Sequence, residues 1–224
     1  VLATSAHFRA LSAECIVTLA AAGRVRTFDD GSLVHAPGMP GSALMVVLEG
    51  SLHVTSPSSH GAGNTLAILE RGSFQNVQAA LGTPDTQAEI HAFGPTRVAV
   101  FSRTRLVHVV REFPELDSYF KRMAVDRIAA LVGLFSDLVS QSLERRLARR
   151  LLAQSMTSDP DAQPVKLHAT HAMLGAMVRA SRGEVSTTLK AWERRALLRL
   201  GYRGIVVEDM RGLRRVAGPA VRPL

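Results

Sequence analysis

The residues best suited to chemistry lie near the carboxyl end. Ser181 opens the stretch SRGEVSTTLKAWERRAL, and a serine just before an apolar-periodic run is an N-cap signal. On the helix that follows, Arg182, Ser186, Thr187 and Lys190 fall at i, i+4, i+5 and i+8 and share an outward face. That face combines guanidinium, hydroxyl and ammonium donors. Such donors suit phosphates and base edges, and an arginine there can hold guanine through paired bonds. The free N–H groups of the first helical turn add an anion site. The plain alternative is a solvated basic helix.

Other chemistries fit less well. His35, His53, His60 and His91 are scattered, with no His-X-His pair to begin a cupin-like metal site. His168 and His171 form an H-x-x-H without accompanying cysteines, so a surface or helix-capping role is preferred over zinc. No G-x-S-x-G, P-loop or dinucleotide fingerprint is present, and no enzyme is expected. The single cysteine, Cys15, excludes an intrachain disulfide framework and an iron–sulfur cluster held by four thiolates of one chain. It fits a reducing, cytoplasmic setting. Apolar runs such as MVVLEG fall far short of the roughly 20 residues that span a bilayer, and no secretory signal pattern is visible.

The elements that must position the basic helix follow from charge and periodicity. Residues 1–140 carry 11 basic and 12 acidic side chains, whereas residues 141–224 carry 16 and 7. The whole excess charge of +8 therefore belongs to the C-terminal part, which marks two domains, one facing a polyanion. Within it, THAMLGAMVR predicts a short helix capped by Thr170 and ending at Arg179. Leu174 and Val178 should pack against Val185, Leu189 and Trp192, with Gly175 allowing close approach. A helix, a tight turn, a second helix and then a strand pair make a winged helix-turn-helix, with the hairpin near Gly204 as the wing. Arginines of 143–150 and 179–215 are expected to contact phosphates.

Upstream the texture differs. Residues 7–22 predict an amphipathic helix. From Gly23 to about Phe101, short β-rich runs (GRVRTF, SLVHAPG, ALMVVLEG, SLHVTS, TLAILERG, AEIHAFG, TRVAVFS) alternate with turn residues, the pattern of a β sandwich or roll. Helices return at Arg103, and Pro114 punctuates them. Residues 115–141 then predict one long helix whose Ala124, Ile128, Leu131, Phe135 and Leu138 form an apolar seam. A second copy of the chain is the simplest cover for that seam; its own β domain is the alternative. Ser140 and Ser142 mark a break before LERRLARRLLAQS. The expected organisation is α+β: a β-roll sensor domain over 1–113, a dimerisation helix over 114–141 and a winged helix-turn-helix over 142–224.

The chain resembles the family of the bacterial cyclic-AMP receptor protein and the fumarate–nitrate reduction regulator over nearly its whole length. APGMPGSALMVVLEGSLHV is similar to the family's β-roll signature. VVREFPELDSYFKRMAVDRIAAL is similar to its helix–proline–dimer-helix junction, and ASRGEVSTTLKAWERRALL to its recognition helix. The resemblance implies a homodimeric transcription regulator with double-stranded DNA and RNA polymerase as partners. It also exposes departures. Where nucleotide-binding members carry glycine–glutamate–leucine, this chain has Asn76, Val77 and Gln78. Where they carry arginine–serine, it has Asp85, Thr86 and Gln87. A buried phosphate without a cation is strongly unfavourable, so cyclic AMP and cyclic GMP are disfavoured as effectors. Gly183 stands where glutamate is usual, Glu184 is shifted by one, and Thr187 replaces an arginine common in the family. Haem, held by a histidine or Cys15, remains the alternative effector, and an interaction module without DNA the alternative function.

Overall fold

Two long strands organise the N-terminal half of the computed structural model, which describes Phe8 and residues 10–39, 44–56, 64–77, 87–155 and 164–219. Strand β3 (Leu44–Thr55) pairs antiparallel with β6 (Glu89–Phe101). β1 (Arg24–Phe28) and β2 (Leu33–His35) pair with β6, while β4 (Thr65–Leu69) and β5 (Phe74–Gln75) pair with β3. The sequence pattern predicts four short strands where β3 and β6 run through. Gly50 and Gly94 adopt φ of 76° and 79° and bend the strands instead of ending them, and the register slips on both sides of Glu49. Left-handed glycines inside a pairing ladder make bulges as readily as turns. At Gly50 only glycine fits, because a Cβ would strike the Pro95 carbonyl.

The first half of β3 is buried on both faces. Met45 and Val47 fill the roll with Ile90, Ala92 and Val98. Leu44 and Val46 meet the helices through Phe101, Leu106, Leu116 and Phe120. Those helices are α1 (Ala13–Ala22), α2 (Arg103–Glu112) and α3 (Pro114–Ser140). Helix α1 starts at Ala13, later than the pattern over 7–22 implies. Ser12 caps it by accepting from the Cys15 N–H at 3.2 Å, and Glu115 accepts from both the N–H and the hydroxyl of Ser12.

Helix α3 has 27 residues and Pro114 in its first turn, a position where proline loses no hydrogen bond. It ends at Ser140, and α4 (Leu143–Ser155) begins after a two-residue break. Arginines brace that break. Arg146 donates to the carbonyls of Gln141 and Val178, and Arg149 pairs with Asp137 while donating to the Ala217 carbonyl. These two side chains are engaged inside the fold, contrary to the expectation that arginines of 143–150 face phosphates. Guanidinium groups satisfy buried carbonyls well because they present a fixed fork of donors.

The C-terminal half adds β7 (Val165–Leu167), α5 (His171–Val178), α6 (Arg182–Arg194), β8 (Leu198–Gly201), β9 (Gly204–Val207) and α7 (Met210–Ala217). Its three strands form a sheet of order β7-β9-β8. Ile68 of β4 belongs to the same apolar cluster as Leu147, Leu151, Leu174 and Trp192, so the core of this half is completed by a strand of the roll. Among the described residues no helix is long and apolar enough to cross a membrane.

Candidate nucleic-acid interface

Helix α5 begins where Thr170 Oγ1 accepts from the Met173 N–H at 3.1 Å. It ends at Arg179, which turns left-handed with φ 51° and so closes the helix as a glycine commonly does. The Ala180 N–H returns to the Gly175 carbonyl at 2.9 Å. A Cβ on Gly175 would sit 2.6 Å from the Ala180 carbonyl oxygen, so the tight turn requires glycine there. Ser181 then caps α6 in a reciprocal box. Its hydroxyl accepts from the Glu184 N–H at 3.2 Å, and the Glu184 carboxylate accepts from the Ser181 N–H at 2.8 Å. Glu184 is thereby turned back onto the helix start, and these bonds hold its carboxyl below the usual range.

The two helices are fixed by packing. Leu174, Val185, Leu189 and Trp192 are fully buried and Val178 nearly so. That leaves the opposite face of α6 outward, with Arg182, Thr187 and Lys190 exposed and Ser186 half-buried. His171, in the first turn of α5, lies within reach of the Arg182 and Lys190 charges. Burial, then those two cations, push its pKa below the ordinary 6.5. Thr170 caps α5, Arg179 and Ser181 lead into α6, and Arg179, Ser181 and Glu184 border an open groove of about 820 Å³ shared with Leu131, Phe135 and Leu138 of α3. The β8–β9 hairpin turns at Tyr202 and Arg203, with Gly201 opposite Gly204. Its tip is prominent, as Tyr202 is 93% exposed. A cationic helix face beside a hairpin can hold a duplex by groove and backbone together.

The expected effector position is partly described. Gln78, Asp85 and Thr86 lie outside the described residues, and Gln87 is exposed. Asn76 is fully buried and takes φ 70°, a conformation asparagine tolerates better than most residues. Val77, at the position where the resemblance implies a ribose-binding carboxylate, is buried in the core with Phe74 and Leu106. One residue escaped the sequence reading. Arg127 of α3 donates to the Phe74 carbonyl and stacks on the Phe74 ring at 5.1 Å. Burial lowers its pKa, and among the described residues no carboxylate pairs with it. Its position one residue from the seam hides this inward role, since only the tertiary fold brings Phe74 to it.

Cys15 is fully buried in the helical core. Burial and the nearby Glu115 raise its thiol to about 11, which makes it a poor thiolate ligand. Among the described residues no three of His, Cys, Asp and Glu gather as a metal-holding group. His168 instead meets Glu70, whose carboxylate accepts from the His168 N–H at 2.9 Å and from Nδ1 at 3.0 Å.

Along α3 the apolar stripe faces solvent in the single chain. Ile128, Leu131 and Phe135 are 62%, 65% and 71% exposed, while Ala124 and Leu138 are half-buried. Val125, Val132 and Val139 are equally prominent and were not part of the expected seam.

Comparison with known proteins agrees with this architecture. Residues 25–113 match the model of the cyclic nucleotide-binding domain, and residues 145–216 that of the Crp-like helix-turn-helix domain. The transcriptional regulator SdrP of Thermus thermophilus is 28% identical over 85% of this chain and 93% of its own. The crystal structure of a CRP/FNR-family transcriptional regulator from Thermus thermophilus superposes with a TM-score of 0.65, at 25% identity, over 88% of this chain and all of that one. The structure of FixK2 from Bradyrhizobium japonicum shares the fold with a TM-score of 0.74, at 15% identity, over 89% of this chain and 99% of that one. With a cyclic-nucleotide-binding-type roll, a long connecting helix and a capped helix-turn-helix in this order, the chain belongs to the CRP/FNR family of transcriptional regulators.

Proposed function

We propose that the chain acts as a cytoplasmic homodimer that binds a two-fold-related DNA site and regulates transcription by RNA polymerase without answering cyclic AMP or cyclic GMP in the usual way. The observation that carries this reading is the capped helix α6, held by a buried Trp192 and presenting Arg182, Thr187 and Lys190 to solvent. Arg182, Ser186, Thr187 and Lys190 contact bases. Thr170, Arg179 and Ser181 hold the flanking phosphates. The seam of α3, including Ala124, Ile128, Leu131, Phe135 and Leu138, joins the two copies. The buried Val77 supports the loss of nucleotide response, because it offers the ribose no hydrogen bond.

The test starts from a duplex selected by the protein out of a random pool. Arg182→Ala should weaken binding to that duplex by about 1–3 kcal/mol at fixed salt, and added cyclic AMP should leave the wild-type titration where it was. Unchanged affinity in the variant would refute the placement of the base-contacting face. A tighter curve with cyclic AMP would refute the reading of Val77.

His171 gives a second check. In the free protein burial, and after it the cationic neighbours Arg182 and Lys190, disfavour protonation. Phosphates drawn to Arg182 and Lys190 reverse that local field, so its pKa is higher in the complex than in the free protein. Binding then takes up a proton, and affinity should rise as pH falls through the His171 pKa of the complex towards that of the free protein. His171→Gln should flatten that rise, as read by titrations of the same duplex across pH. A pH profile identical in wild type and variant would show that no phosphate approaches His171.

A further inference from the structure

The wing tip is bound to the sensor half of its own chain. Arg203, left-handed at φ 49° in the β8–β9 turn, sends its guanidinium to Asp30 in the turn between β1 and β2. Nη1 and Nη2 donate to the two carboxylate oxygens at 2.6 and 3.1 Å. The same guanidinium lies 4.0 Å from the centroid of the Phe93 ring. Asp30 is oriented for this by the Gly94 N–H, which donates to it at 2.7 Å. Elsewhere along the same domain contact, Glu70 of the roll is 4% exposed and holds His168 by two bonds. The contact thus has a charged tip and a buried base.

A carboxylate and a phosphate offer the Arg203 fork the same two-oxygen partner. One guanidinium cannot hold both. The Arg203–Asp30 pair is solvent-accessible on both sides, with side chains 34% and 45% exposed, so it is weak enough to be exchanged for another oxyanion. We propose that the Arg203–Asp30–Phe93 contact is an autoinhibitory latch, in which the sensor domain occupies the cation of the wing and DNA phosphate must displace it. Any ligand or partner that shifts the β1–β2 turn then frees the wing for DNA. The proposal rests on the DNA-binding reading of the winged helix, and the experiment separates the two.

The decisive measurement is a double-mutant cycle in the full-length protein, read with the duplex selected by the wild type. Asp30→Asn should raise affinity by about three- to tenfold, the size of one exposed charge pair with its ring contact. Removing a negative charge favours any polyanion, so the single variant does not decide. In the Arg203→Ala background the latch is already open, and the Asp30→Asn gain should shrink to the small bulk-charge part. A gain of equal size in both backgrounds overturns the latch and leaves only bulk charge. No gain in either background overturns it too.

Hydrogen exchange of the hairpin amides at Tyr202–Gly204 supplies a reading that needs no DNA. Exchange should quicken in Asp30→Asn and in Arg203→Ala alike, and unchanged protection in either refutes the contact in solution. If no duplex is selected by the wild type, the DNA reading fails while the exchange result still judges the latch. Should Asp30→Asn unfold, exchange in Arg203→Ala alone decides between a latched and a free wing.

Discussion

Replacing Phe135 with glutamate is expected to turn a dimer into a monomer and to lower affinity for a two-fold DNA site by about 10²- to 10⁴-fold. Phe135 is 71% exposed on α3, between the equally exposed Val132 and Val139. A stripe of large apolar side chains along a helix of 27 residues marks an interaction surface, and in the proposed homodimer a second α3 would cover it by the same spacing. With the two-fold axis of the proposed dimer running along a parallel α3 pair, each seam residue lies near its counterpart. A carboxylate at this position would meet its own copy in an apolar setting, where like charges are costly. Once monomeric, the protein contacts one half-site at a time and loses the effective concentration that links the two. Sedimentation velocity reads the mass, and titration of the selected duplex reads the affinity. Because the side chain is exposed within the chain, the variant should keep its far-ultraviolet circular dichroism. A dimer that persists, or unchanged DNA affinity in a true monomer, would refute the seam.

Trp192→Ala should destabilise the winged helix by about 3–5 kcal/mol. The indole is fully buried among α4, α5 and the small sheet, and its Nε1 has no hydrogen-bond partner among the described residues. Its contribution is therefore packing alone. Alanine leaves a cavity under α6 at the point where the helix must be held at a fixed angle. Trp192→Phe restores most of the volume and breaks no hydrogen bond, so it should cost much less than alanine. Urea unfolding followed by circular dichroism measures both. A loss below about 1 kcal/mol for alanine would mean that the helix pair is not organised around this ring. Equal losses for the two variants would point to the missing indole N–H instead.

Helices were legible in the sequence where a cap and a period agreed. Ser181 before its apolar-periodic run, Thr170 at the head of THAMLGAMVR, and Pro114 before the long seam each announce an element that the structure contains. Strands were legible in place but not in length. Gly50 and Gly94 read as turn residues, yet both bend a continuing strand, because a left-handed glycine has the same signature in a turn and in a bulge. β5 and β7 hold two and three residues, too few for alternation to rise above chance. The candidate site was legible on α6, whose periodicity separates a buried face from a polar one. Arg127, Arg203 and Glu70 were not, since each has its partner 50 or more residues away. Likewise Arg146 and Arg149 carry the composition of a phosphate-binding helix but satisfy carbonyls at the interdomain break.

Ile68 and Glu70 give the architecture a further property. Ile68 lies on a strand of the roll and Glu70 just beyond its end, yet Ile68 fills the core of the winged helix and Glu70 anchors its loop between β7 and α5. The DNA-binding unit is consequently not a portable cassette. Cutting or exchanging this chain at the helix break would leave an apolar hole and an orphaned loop, so a transfer of its reader would have to carry β4 along.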